Sequence, residues 1–482
     1  MNTRVTDTVL SVEDLGVDLL PTTGLPAGRV LLQGCSFQLH AGQRLTLVGE
    51  SGAGKSLLAQ AIMGTLPAAM RARGRVRIAG HDTHGQRDRT QPLWGRQIGM
   101  LPQEPWTALS PLMRLHTQVA EAGRHASRLP WSQAQARADQ HLAALGLATA
   151  GRQWLHQVSG GMAQRVGIAC ASQGDTRILI ADEPTKGLDT GACEQVAQLL
   201  TNAQQNGQAL LTITHDLDLA ERLGGQIAVL RAGQIVEQGP VGDVLNHPCH
   251  PYTQALMAAQ PRHWPDLMPP RTTGETLITA ERISVTRGER LIFREADLHI
   301  GQGASVSVVG PSGCGKTTLG NVLVGILPPS RGRVSHRADV ARWRFQKLYQ
   351  DPVASFAAQQ TLRQGLTDLI RLHRLDPGPV ETWLQRLRLS DELLDRQPGE
   401  VSGGELQRLA LLRAMLLNPV FVFADEPTSR LDALTQRDTL AALCDAMAES
   451  GCALLLVTHD PHIAQHATRA QWQIHSQTLI KP

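Results

Sequence analysis

Two stretches decide the fold: GESGAGKS, Gly49 to Ser56, and GPSGCGKT, Gly310 to Thr317. Each follows a short strand-like run, LTLVG or SVSVVG, and each precedes a helix-like run, LLAQAIMG or TLGNVLVG. A strand, a glycine-rich loop ending in Lys-Ser/Thr and a helix form the context of a phosphate-binding P-loop. The glycines let backbone N–H groups converge on phosphate oxygens, and the helix N-terminus adds positive dipole. The lysine reaches the β- and γ-phosphates as a compact charge. The hydroxyl after it is a ligand for Mg²⁺. The candidate phosphate-binding residues are therefore Gly49, Ser51, Gly52, Gly54, Lys55 and Ser56 in the first loop. In the second they are Gly310, Ser312, Gly313, Gly315, Lys316 and Thr317.

Lysine is scarce in this chain, which sharpens the reading. Of 46 basic residues only five are lysine: Lys55, Lys186, Lys316, Lys347 and Lys481. Two of the five fall in P-loops. A single chance match to the motif has a probability on the order of 10⁻² or less, and two in context far less.

The loops are the first landmarks of a longer repeat. RILIADE (177–183) matches VFVFADE (420–426), and ALLTITHD (209–216) matches ALLLVTHD (453–460). VSGGMAQR (158–165) matches VSGGELQR (401–408). Ser159 precedes Glu183 by 24 residues, and Ser402 precedes Glu426 by the same 24. Each ADE run reads as a buried strand presenting two carboxylates at its C-terminal edge. Asp182 and Asp425 are placed to hold a Mg²⁺ shell, and Glu183 and Glu426 to polarise an attacking water.

Length and composition agree with a two-domain reading. At 482 residues the chain exceeds one ordinary core. It is 42% hydrophobic and 18% charged, as in a soluble globular protein. No apolar run reaches the ~18 residues of a membrane span. The start shows no secretory h-region. Seven scattered cysteines form no CxxC pair, which argues against zinc modules and disulfides and for a reducing compartment. A net charge of +3 does not call for a nucleic-acid partner.

The set of P-loop, glutamine, SGG-x-x-QR, ADEPT, LD and THD resembles the nucleotide-binding domain of ABC transporters, twice over nearly the whole chain. The resemblance implies an α/β fold. Each half would have a mainly parallel sheet core, an antiparallel β subdomain and a helical signature subdomain. It implies ATP and Mg²⁺ as ligands. Gln103 and Gln350 match its Q-loop glutamines and Mg²⁺ contacts. Ser159, Gly160, Gly161 and Ser402, Gly403, Gly404 match its signature loops. Asp189 and Asp432 match the D-loop, and His215 and His459 the switch histidines. It further implies that each ATP lies between one half's P-loop and the other half's SGG loop, pairing Lys55 with Ser402 and Lys316 with Ser159. Fusion of the halves then makes an obligate homodimer unnecessary.

A narrower resemblance lies at 239–261, GPVGDVLNHPCHPYTQALMAAQP. It is similar to the extension of ATPases in the dipeptide, oligopeptide and nickel importer family. The expected organisation is a first domain over 1–245, an extension and linker over 246–272, and a second domain over 273–482. The implied function is the ATP-hydrolysing subunit of an importer for peptides, nickel or metal chelates. It would sit peripherally on the cytoplasmic face of a bacterial-type inner membrane. Two permease subunits would meet the Q-loop surfaces, and an extracytoplasmic solute-binding protein would act indirectly. The alternative is a soluble twin ABC ATPase acting on ribosomes or DNA. It lacks support from a charged helical linker or zinc-binding Cys pairs.

Four further expectations concern details. Leu19 and Arg287 align where such domains carry an adenine-stacking aromatic. The first half has 14 extra residues between lysine and glutamine, roughly HDTHGQRDRTQPLWG, read as a polar surface loop. His81, His84, His247 and His250 are the best metal candidates, but without ligand spacing. Cys314, inside the second P-loop, is a candidate for selective alkylation, against a competing reading in which it points inward and is inert.

Overall fold

The computed structural model describes residues 7–21, 28–174, 176–186, 188, 190–205, 207–268, 274–288, 290–311, 313–429 and 431–480. The chain divides into two compact units, Met1–Met257 and Ala258–Pro482.

In the first unit the apolar runs become the centre of a six-stranded sheet. Its order is Gln234–Pro240, Gln226–Arg231, Arg44–Val48, Ala209–Thr214, Ile178–Asp182 and Ile98–Leu101. All neighbours are parallel except the terminal Gln226–Arg231/Gln234–Pro240 hairpin. Strands Ile178–Asp182 and Ala209–Thr214 are buried at every position. Both faces of a parallel sheet are covered, so such strands are continuously apolar rather than alternating. The other sheet is antiparallel, built on the long strands Thr8–Leu19, Val30–His40 and Met70–Ile78. Here burial alternates, as in QGCSFQL (33–39), because one face meets solvent. A third layer of helices, Leu115–Ser127, Trp131–Ala144 and Gly160–Ala171, closes its own apolar core around Leu115, Val119, Leu142 and Val166.

The second unit repeats the plan. Its six-stranded sheet runs Phe345–Leu348, Phe421–Asp425, Ala453–Val457, Ser305–Val309, Ala470–His475 and Thr478–Ile480. A three-stranded antiparallel sheet and helices Leu362–His373, Pro379–Arg386 and Gly403–Met415 complete it.

The extra segment of the first half is largely exposed, as its polarity suggested, but it is structured rather than a simple loop. It folds as a strand pair with Met70–Ile78 and a short helix, Arg87–Thr90. Thr83 and Thr90 are fully buried, and the Trp94 indole donates to the Met63 carbonyl at 3.1 Å. Polar composition concealed this, because the two threonines bury by bonding the carbonyls of Val76 and Gln86.

The extension is divided between the units. Tyr252 is buried in the first, whereas Trp264 and Met268 belong to the apolar core of the second. There the Trp264 indole donates to Ala259 O at 2.8 Å and Leu267 N–H to His466 O at 2.8 Å.

The two units differ where the P-loop helix crosses the carboxylate strand. In the second unit a Cβ on Gly320 would lie 2.2 Å from the Phe423 ring. The matching pair in the first unit is Ala59 and Ile180, both fully buried. A larger strand residue has been accommodated by a smaller helix residue. Gly320→Ala is expected to overpack this contact and destabilise the second unit by about 1–3 kcal/mol, despite the better helix propensity of alanine. Adding Phe423→Ile should recover most of the loss. Denaturant melts of the four variants in a double-mutant cycle decide it. Additive effects would show that the ring does not set the helix position.

Candidate functional site

Each P-loop lies between the end of a central strand and the start of a helix. Gly54 and Gly315, just before the helices, have φ of 103° and 109°. A side chain there would also strike Leu32 at 2.5 Å or Ile292 at 2.4 Å. Glycine is required on both counts. Lys55 Nζ donates to the carbonyls of Gly49 (2.7 Å) and Glu50 (3.0 Å). Lys316 Nζ does the same to Gly310 (2.7 Å) and Pro311 (3.1 Å). Both ammonium groups are thereby drawn across the mouth of their own loop.

The strand carboxylates come to these loops from more than a hundred residues away. Ser56 Oγ donates to Asp182 Oδ1 at 3.1 Å, and Thr317 Oγ1 to Asp425 Oδ1 at 3.0 Å. Burial pushes the Asp182 carboxyl up to about 6, against the Ser56 hydrogen bond. Burial likewise raises Asp425, partly offset by the Lys347 ammonium. A carboxyl raised by burial is one whose charge is incompletely balanced by its partners.

The next residue is turned sharply. Glu183 and Glu426 have φ of 48° and 47°, which non-glycine residues seldom adopt. Their N–H groups bond the carbonyls of the neighbouring strand, Ile213 and Val457. The turn brings Glu183 Oε2 to His215 Nδ1 at 2.8 Å. In the second unit Glu426 faces His459 Nδ1 at 3.6 Å and accepts from Gln350 Nε2 at 2.8 Å. Burial alone would raise Glu183, but the His215 charge and hydrogen bond outweigh it and hold the carboxyl below its usual value. Burial would lower His215; Glu183 reverses this and raises it. The Glu426–His459 pair shifts in the same directions.

Ser159 and Ser402 are exposed N-caps of the helices Gly160–Ala171 and Gly403–Met415. Ser159 Oγ accepts from Met162 N–H. Ser402 forms a full capping box with Glu405. Gly160 and Gly161, like Gly403 and Gly404, form the first turns. Gln103 follows the strand Ile98–Leu101 and is half-buried. Asp432 caps the helix Ala433–Ser450 through Thr435 N–H. Asp189 and Ser312 lie outside the described residues. Leu19 and Arg287 each end a strand of the antiparallel sheets.

Two expectations are corrected or narrowed. Cys314 is half-buried and packs on the core of its unit, with Sγ 2.9 Å from where a Cβ on Gly310 would lie. Its packing on the core is in line with the inward reading, and its partial exposure leaves the thiol open to the alkylation test. His250 Nδ1 accepts from Tyr252 N–H at 3.1 Å, a turn contact. Among the described residues no group of three His, Cys, Asp or Glu is arranged to hold a metal ion.

Sequence reasoning missed a support of the first P-loop. The Glu50 N–H donates to the Tyr252 hydroxyl at 2.9 Å, across 202 residues. The Arg231 guanidinium lies 5.0 Å over the Tyr252 ring. Glu237 accepts from the N–H groups of Cys249 and His250 and so fixes the approach of the extension. The second P-loop has Pro311 at the position of Glu50. Proline has no N–H, so the second loop needs no such acceptor. The signal was the Glu/Pro difference between the loops, legible only once Tyr252 is seen beside them.

Two P-loops, each bonded to a strand-end carboxylate and followed by a Glu–His pair, define nucleotide sites of the ABC ATPase class. The comparisons agree. The ABC transporter family matches residues 32–186 and 293–429, and the "Oligopeptide/dipeptide transporter, C-terminal region" matches 236–284. The chain is 33% identical to the peptidoglycan transport ATP-binding protein YejF of Agrobacterium fabrum, over 95% of this chain and 90% of that protein. It is 30% identical to the glutathione import ATP-binding protein GsiA of Shigella dysenteriae, over 95% and 83%. A solved structure titled RNase-L Inhibitor superposes with a TM-score of 0.66 at 20% identity, covering 97% of this chain and 90% of that one, which bears on fold alone. The chain belongs to the ABC transporter family and is an ATP-binding ATPase with two such domains.

Tyr252→Phe removes the acceptor of a P-loop N–H. It is expected to cost the first unit about 1 kcal/mol or less, the loss of a hydrogen bond to a half-buried donor. The measurement is the melting temperature of the full chain. An unchanged melting profile would mean that water replaces the hydroxyl without loss.

Proposed function

We propose that this chain is the ATP-hydrolysing subunit of an importer whose cargo is of the peptide class. The observation that carries the reading is the Asp-Glu strand end. One carboxylate is bonded to the P-loop hydroxyl, and the next is turned by a left-handed backbone onto a histidine.

In the proposed chemistry Glu183 and Glu426 act as general bases toward the attacking water. His215 and His459 hold them ionised and aimed, and Gln103 and Gln350 orient the water and report on the membrane side. Lys55 and Lys316 leave their own carbonyls and bind the β- and γ-phosphates. Ser56, Asp182 and Gln103 in one half, and Thr317, Asp425 and Gln350 in the other, would hold Mg²⁺. The donor set fits that ion: hard oxygens, including a strand-end carboxylate that burial raises in both halves. When bound, Mg²⁺ would neutralise charge on the transferred phosphate. Ser402 and Ser159 would close the sites of Lys55 and Lys316 in a head-to-tail arrangement. This is supported by their place at exposed helix N-termini, which favour anions.

The importer reading rests on the matched oligopeptide/dipeptide region and on relatives named for peptidoglycan and glutathione transport, both compounds with amide-linked amino acids. No observation favours nickel or a metal chelate over a peptide. Among the described residues no helix is long and apolar enough to cross a membrane. Transport then requires separate permease subunits, with this chain on their cytoplasmic face and a solute-binding protein beyond them. Copurification of tagged chain with its neighbouring permeases, followed by peptide-stimulated ATPase in vesicles, tests the assignment. Stimulation by ribosomes instead would replace it.

Glu183→Gln should slow hydrolysis at its site by about 10²-fold or more while ATP still binds, as expected for a lost general base. Retained turnover would remove Glu183 from the role.

The pH profile adds an independent check. The base must be deprotonated, so activity falls as pH drops through its pKa. His215 holds that pKa down against burial. His215→Ala therefore leaves burial less opposed. The acid limb of the rate profile should move to higher pH. A lowered rate with an unmoved limb would show that His215 does not tune Glu183.

A further inference from the structure

The second unit contains a charged side chain that the common mechanism does not use. Lys347 is one of five lysines in the chain and its side chain is only 9% exposed. Its Nζ lies 3.5 Å from Asp425 Oδ2 and donates to Asn321 Oδ1 at 2.8 Å. The same nitrogen lies 4.7 Å from the centre of the Tyr349 ring and 5.0 Å from that of Phe423. A cationic head between two aromatic faces, an amide oxygen and a carboxylate is a built site for one ammonium group.

Apart from the carboxylate, which Asp182 matches, every part of that cage differs in the first half. At the matching positions the first half has Met100 for Lys347, Gln60 for Asn321, Pro102 for Tyr349 and Ile180 for Phe423. The same packing change that requires Gly320 supplies the Phe423 ring. The cage also joins three working parts. Asn321 is on the P-loop helix, Tyr349 precedes the Q-loop glutamine, and Asp425 accepts from the P-loop hydroxyl.

Asp425 therefore has both oxygens engaged, Oδ1 by Thr317 and Oδ2 by a cation. A divalent ion approaching Thr317 and Asp425 meets a carboxylate already partly neutralised, and a positive charge close by in a poorly screened interior. The first half cannot make this contact, because methionine has no charge.

We infer that Lys347 makes the second nucleotide site metal-attenuated: it binds ATP with little dependence on Mg²⁺ and hydrolyses more slowly than the first. This rests on the assignment of both P-loops as ATP sites. The two sites of the chain are thereby unequal by a built-in charge, although each has its full set of motif residues.

The test uses the full chain with one P-loop lysine removed at a time. Lys316→Ala leaves only the first site able to hold nucleotide, and Lys55→Ala only the second. The fluorescent analogue TNP-ATP is titrated into each, with Mg²⁺ and with EDTA. EDTA should weaken binding at the first site at least about tenfold more than at the second. Adding Lys347→Met to the Lys55→Ala chain should give the second site the Mg²⁺ dependence of the first. Equal dependence in the two single variants overturns the inference, and needs no substitution at Lys347. So does a correctly folded Lys347→Met chain with unchanged dependence, or a second site more dependent on Mg²⁺ than the first. If Lys347→Met lowers the melting temperature, Lys347→Gln gives the same reading. No TNP-ATP binding in either single variant would overturn the ATP-site assignment itself, and the inference with it.

Discussion

The rest of each unit depends on a single hydrogen bond, from the P-loop hydroxyl to the strand-end aspartate, 3.1 Å in one half and 3.0 Å in the other. It joins residues 126 or 108 positions apart. A parallel sheet makes it possible by holding these two strands in one layer with a single strand between them. The phosphate loop leaves the C-terminal end of one strand, and the carboxylates leave that of another two places along the same sheet. A buried carboxylate needs partners, or its burial costs several kcal/mol. The hydroxyl is one partner. The demand left over is what makes the place a cation and phosphate site rather than a structural corner.

The Glu beside it is governed by opposite logic. Asp182 is raised by burial, and Glu183, one residue on, is lowered because His215 outweighs burial. Adjacent carboxyls pushed apart by their surroundings divide the chemistry between them. The division requires the positive φ at Glu183, since an extended backbone would send the two side chains to opposite faces of the sheet. The strain is stored where the function needs it.

Much of this was legible in the sequence, for a physical reason. Phosphate loops, carboxylate strand ends and signature caps use backbone geometry that few residue types can adopt, so they leave local patterns. GESGAGKS and RILIADE could be placed on loop and strand unaided, and the structure gave Lys55, Ser56 and Asp182 one common place. What stayed hidden were contacts that residue type alone does not signal. Tyr252 reads as part of a proline-rich connector until its hydroxyl is found on the Glu50 amide. Thr83 and Thr90 read as surface polarity, because a hydroxyl that bonds a nearby carbonyl looks no different in sequence from one that bonds water. Cys314 was read by its place in the loop, whereas its packing is on the core of its unit.

Comparison of the halves separates what the chemistry fixes from what packing adjusts. Lysine, hydroxyl, aspartate, glutamate and histidine recur in both. The residues that carry them do not: Ala59 with Ile180 becomes Gly320 with Phe423, and Glu50 with its tyrosine becomes Pro311 with none. Each change is matched by a second that keeps the backbone where phosphate needs it. Glycine would weaken a helix by about 1 kcal/mol, and it survives in the P-loop helix because the aromatic ring fills the space it leaves. Once that ring is in place it also offers a face to a cation, and the strand next to it has lysine at the position that reaches it. The ring that fills the volume thus also offers a face to the cation one strand away. Two domains of one plan can therefore diverge in metal and nucleotide chemistry without losing a single motif residue, and motif inspection alone would score them as equals.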